Sequence, residues 1–86
     1  MPRRSAPIRR QQQPVMSMWT VYDHPTDYPR HFVARRFVVL GGGLFGPTDD
    51  ARFATTLSEL RTMLPRGLYR LDRMPDDDPK VLEVWL

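Results

Sequence analysis

The run Phe32-Val-Ala-Arg-Arg-Phe-Val-Val-Leu40 carries the strongest strand pattern in the chain. It is rich in β-branched and aromatic residues and free of breakers. Alternation divides it into Phe32, Ala34, Arg36, Val38, Leu40 on one face and Val33, Arg35, Phe37, Val39 on the other. Both faces are apolar, and each is interrupted by one arginine. Trp19–Tyr22, Leu68–Met74 and Lys80–Leu86 read as further strands, with Ala51–Ala54 as a brief additional one. In the last strand, Leu82, Val84 and Leu86 are expected to share one face, and Val81, Glu83 and Trp85 the other.

A different period separates these strands. Thr56-Leu-Ser-Glu59 has the pattern of a helix N-terminus, in which a hydroxyl caps the first turn. Leu57, Leu60 and Leu64 follow at helical spacing, and Pro65-Arg-Gly67 ends the helix. A helix this short is stable only when docked. Gly41-Gly-Gly43 closes the long strand, and Gly46-Pro47-Thr-Asp-Asp50 reads as a turn or loop. Pro25 and Pro29 stiffen the loop Asp23–His31, and Pro75 to Pro79 form another turn. The order β-β-(β)-α-β-β predicts an α+β fold: a small antiparallel sheet of four to five strands with one short helix on one face.

Composition limits the folded part. Residues 1–18 hold Arg3, Arg4, Arg9 and Arg10, three prolines, a run of three glutamines and no acid. Their apolar residues follow no period, so they are expected to form a disordered basic leader, with a single domain at 19–86. Met16 or Met18 is an alternative start on this reading. The chain has 86 residues and a net charge of +3, but the four leader arginines exceed that surplus. The domain by itself is therefore close to neutral, which removes the footprint of a basic nucleic-acid-binding domain. There is no cysteine, so neither a disulfide nor a thiolate metal site can staple the core. No apolar run approaches the ~20 residues of a membrane span or forms a secretory signal. A cytoplasmic location and no membrane partner are expected.

Gly41-Gly-Gly43-Leu-Phe-Gly46 matches the spacing of a dinucleotide-binding glycine motif. That chemistry needs a helix opening directly behind the glycines, and Pro47 follows instead. No cofactor is expected. Asp23, His24, Asp27 and His31 are the densest group of potential metal ligands or acid–base residues, yet their spacing fixes no ligand geometry. Turn formation accounts for them, and a metal-dependent or hydrolytic site there is the least favoured reading. Asp76-Asp77-Asp78 lacks the alternation of a calcium loop and reads as a solvated turn.

Arg35 and Arg36 are adjacent and must point to opposite faces, so one lies beneath the helix. It must reach the sheet edge, pair with a carboxylate such as Asp72 or Glu83, or mark a bulge. With Tyr28, Arg30 and His31 they are candidates for a basic, aromatic binding surface, and Trp85 joins Trp19 and Tyr22 as a core or interface anchor.

The segment Met18-Trp-Thr-Val-Tyr-Asp-His-Pro-Thr-Asp-Tyr-Pro-Arg-His-Phe-Val-Ala-Arg-Arg36 resembles the opening of a family of short uncharacterised bacterial proteins. Leu64-Pro-Arg-Gly-Leu68, Asp77-Asp-Pro79 and Glu83-Val-Trp-Leu86 are similar to that family's end. The resemblance implies a start at the methionine matching Met18 and carries no catalytic residues. The expected function is a small non-enzymatic interaction module that binds another protein or itself as a homodimer. Nucleic-acid binding through the leader and Arg30, Arg35 and Arg36 is the alternative.

Overall fold

The computed structural model describes residues 14–42 and 45–86. In chain order the elements are β1 (Pro14–Asp23), β2 (Phe32–Leu40), β3 (Phe45–Ala54), α1 (Leu57–Thr62), β4 (Arg70–Asp72) and β5 (Val81–Trp85). The strands form one antiparallel sheet in the order β3-β2-β1-β5-β4. The first three are a meander; the chain then crosses by way of α1 to the opposite edge and returns as the β4–β5 hairpin. The α+β architecture expected from the pattern is the one observed.

Three boundaries differ from expectation. β1 begins at Pro14 rather than Trp19, with Met16, Ser17 and Met18 paired to Val39, Val38 and Phe37. The leader expectation is thus corrected for residues 14–18, and its remainder, with all four arginines, lies outside the described residues. Pairing with an already strong strand orders these residues despite their lack of apolar period. β3 starts at Phe45, so Gly46-Pro47-Thr-Asp-Asp50 is strand and not loop. Pro47 is tolerated because β3 is an edge strand, and the register shifts opposite Arg35 and Phe37. β4 keeps only Arg70–Asp72 of the expected Leu68–Met74.

The third strand pairing also changes which residues share a face. Trp19 stands opposite Trp85 and Val21 opposite Glu83, but Tyr22 stands opposite Val81, leaving Leu82 as a bulge. Simple alternation therefore fails. Leu82 joins Trp85 against the core, while Val81 lies with Val84 and Leu86 on the reverse face.

The core lies between the sheet and α1. Trp19 and Val21 from β1, Ala34 from β2 and Ala54 from β3 surround Leu60, with Phe32, Leu57, Leu64, Leu68, Leu82 and Trp85 at its margin. Ala34 and Ala54 are small, which lets the helix backbone come nearest to β2 and β3. Leu60 is fully buried, a burial that contributes about 1.5–3 kcal/mol. The Thr56 hydroxyl accepts a hydrogen bond from the Glu59 amide at 3.1 Å, so the expected cap is present. Among the described residues, no helix is long and apolar enough to cross a membrane.

Candidate interaction surface

Because α1 covers one face of the sheet, the reverse face depends on loops for its cover. Met18 and Thr20 from β1, Leu71 from β4, Val81 and Val84 from β5 and Leu86 just beyond it line a groove of about 410 Å³ there. Met74, Asp72 and Asp77 complete its wall. Leu71 and Met74 remain 49% and 65% exposed, so the apolar lining reaches solvent. The wall is built by a self-capped turn. The Asp77 carboxylate accepts from the Met74 amide at 2.7 Å, its carbonyl accepts from Arg73 at 2.9 Å, and the Asp78 carboxylate accepts from the Lys80 amide at 2.8 Å. The expected solvated turn is there, and it also gives the groove an acidic rim.

Toward β2 the same face becomes aromatic and cationic. Arg35 stands opposite Thr20 in register, which places it on the groove side. Its guanidinium lies 5.8 Å from the centres of both the Tyr22 and Tyr28 rings and forms an ion pair with Asp27. Tyr28 packs on Phe53 with ring centres 4.6 Å apart, and His31 approaches the same ring edge-on at 6.4 Å. Burial pushes the Tyr22 hydroxyl pKa up; Arg35 opposes this, and Asp78, Asp27 and Asp77 reinforce it. This cluster clasps the loop between β1 and β2 onto the sheet.

Not all of the candidate residues meet. Tyr28, His31 and Arg35 converge, whereas Arg36 and Trp85 lie on the helix-bearing face. Arg36 donates to Asp50 at 2.8 Å and to the Ser17 hydroxyl at 3.1 Å, so its partner is neither Asp72 nor Glu83. The hydrogen bond from Arg36 holds the Asp50 carboxyl below its usual range. The Arg36 carbonyl accepts from the Thr48 hydroxyl at 2.9 Å, at the irregularity in the β2–β3 register. Arg30 is exposed and has no ion pair among the described residues. The expected single surface of Arg30, Arg35 and Arg36 is therefore corrected: the sheet itself separates Arg35 from Arg36.

Glu83 is the buried charge of the helix side, 3% exposed. Arg61 reaches both its oxygens, Nε at 2.9 Å and Nη2 at 2.7 Å, and Trp85 Nε1 donates at 2.9 Å. These bonds, that from Arg61 foremost, hold its carboxyl below the ordinary glutamate range against the opposing effect of burial. Trp19 is buried in the core, with Arg52 5.0 Å above its ring.

The histidines part company. The His24 ring bonds Asp23 at 2.5 Å and packs on Phe32 at 4.6 Å, while His31 lies against Phe53. Asp27 is engaged by Arg35. Among the described residues, no group of three or more His, Cys, Asp or Glu is placed to hold a metal ion.

The groove is what reasoning from sequence missed. Met18 looked like leader, and Leu71 and Met74 looked like ordinary strand positions. The bulge that swings Val81 beside Val84 has no signature in composition. Compared with known proteins, the chain matches no family model, and no curated protein or solved structure is significantly similar to it.

Proposed function

We propose that the protein is a small interaction module whose working surface is the sheet face without the helix. The observation that carries this reading is the open apolar groove between β1, β5 and β4, in which Leu71 and Met74 face water. Exposed apolar lining of this kind is costly to a small domain unless a partner covers it. The ligand is an apolar protein segment with cationic flanks, because Asp77 lines the groove and Asp76 and Asp78 belong to the same turn. Arg35, already engaged by Asp27 and flanked by two tyrosines, organises the neighbouring loop rather than offering a free anion site.

The test is titration of the full chain with a synthetic peptide of alternating leucine and serine flanked by lysines, beside a glutamate-flanked twin. The lysine-flanked peptide is expected to bind more tightly, and Met74→Asp to weaken it strongly without changing the circular dichroism. Equal affinity for both peptides, or binding indifferent to Met74→Asp, would remove the support for this surface.

A further inference from the structure

The groove ends at β4, which among the described residues is an unpaired edge of the sheet. Tyr69 and Leu86 exchange both backbone hydrogen bonds, at 2.8 and 3.0 Å. Bonded and non-bonded pairs alternate along an antiparallel ladder. Leu71, paired with Val84, therefore also turns its N–H and C=O toward β5, whereas those of Arg70 and Asp72 point outward to the edge. The opposite edge, β3, is guarded by Pro47 and a register shift. β4 has neither device.

We propose that this edge pairs with the β4 edge of a second copy, antiparallel and centred on Leu71. In that register Arg70 of one protomer stands opposite Asp72 of its partner, and the reverse holds across the two-fold axis. The outward amides and carbonyls of both residues then meet as reciprocal bonded pairs. Leu71 meets its own counterpart at the closely spaced non-bonded position, which covers its exposed side chain. Charge complementarity selects a second copy as the occupant. Asp72 has no ion pair among the described residues, and Arg70 has only a 3.6 Å approach to Glu83, which Arg61 already satisfies twice over. Because Leu71 lines the groove, pairing makes the two grooves continuous across the sheet. The inference rests on the interaction-module reading for the role of that doubled groove, while the pairing itself stands on the edge.

Size-exclusion chromatography with light scattering on the full chain tests it. The protein is expected to dimerise at tens of micromolar. Arg70→Asp and Asp72→Arg should each weaken the dimer about tenfold or more by setting like charges opposite one another. Mixing the two single variants should restore association as a heterodimer, and the double variant R70D/D72R should dimerise like the parent. Circular dichroism and thermal melts check that each variant stays folded. A monomeric parent at these concentrations overturns the pairing, as does a dimer unaffected by either single reversal or a mixture that fails to associate. A monomer that still prefers the lysine-flanked peptide would sink the edge pairing alone. A charge-sensitive dimer indifferent to both peptides would sink the groove reading alone.

Discussion

Arg61 on the helix grips both carboxylate oxygens of Glu83 on β5, at 2.9 and 2.7 Å, and so ties α1 to the strand next to the β4 edge. The pair is unequal. Glu83 is buried, whereas the Arg61 side chain is 38% exposed and can turn to water. Arg61→Ala strands a buried carboxylate and is expected to cost about 2–4 kcal/mol, while Glu83→Gln keeps an acceptor and costs roughly 1–2 kcal/mol. Urea denaturation of both variants measures the order. A larger loss for Glu83→Gln would contradict this account of the pair.

The same pair sets a pH dependence. Arg61 holds the Glu83 carboxyl below its unfolded value of ~4.3. A lowered folded pKa gives stability that is complete above the unfolded value and is lost as pH falls through the folded one. Asp50, lowered by Arg36, acts with the same sign. Unfolding free energy is expected to be level from neutrality to about pH 5 and to decline below it. Glu83→Gln should flatten part of that acid limb in a series of melts; an unchanged slope would count against the pair.

Arg35 clasps the loop between β1 and β2 at the surface. Its ion pair with Asp27 is solvent-exposed, so Arg35→Ala is expected to change global stability by no more than about 1 kcal/mol. The local effect should be larger. Amides of Tyr28 and His31, which donate to Pro25 and Tyr28 carbonyls at 2.9 and 3.2 Å, should exchange faster with deuterium. Unaltered exchange at both amides would show that Arg35 does not hold the loop.

The start of β1 gives a fourth expectation. A chain beginning at Met18 loses Met16 and Ser17 from the ladder with β2, and with them the Ser17 hydroxyl that accepts from Arg36. It is expected to melt measurably lower than one beginning at Pro14, by an amount near that of a lost strand end with one side-chain hydrogen bond, about 1–2 kcal/mol. Identical melting would make Pro14–Ser17 dispensable to the sheet.

Much of the fold was legible because it follows local rules. Phe32–Leu40 is rich in strand formers and free of breakers, and Thr56 with Glu59 marks a capped helix, so both elements occur where the pattern places them. The unreadable parts depend on pairing between distant residues. Pro14–Met18 become strand only because β2 lies alongside, and Gly46-Pro47 enter β3 because an edge strand tolerates a missing donor. The opposed directions of Arg35 and Arg36 were legible from adjacency, but their partners Asp27 and Asp50 were not. The groove needed the Leu82 bulge, a consequence of fitting β5 to β1, to bring Val81, Val84 and Leu86 together.

The central claim is that a partner docks on the sheet face that lacks the helix. Amide chemical-shift mapping of the isotope-labelled full chain with the lysine-flanked peptide tests it most directly. Met18, Thr20, Leu71, Val84 and Leu86 are expected to shift together, with Leu57–Thr62 unmoved. Shifts confined to the helix or to the neighbourhood of Arg36, with the groove residues silent, would contradict it.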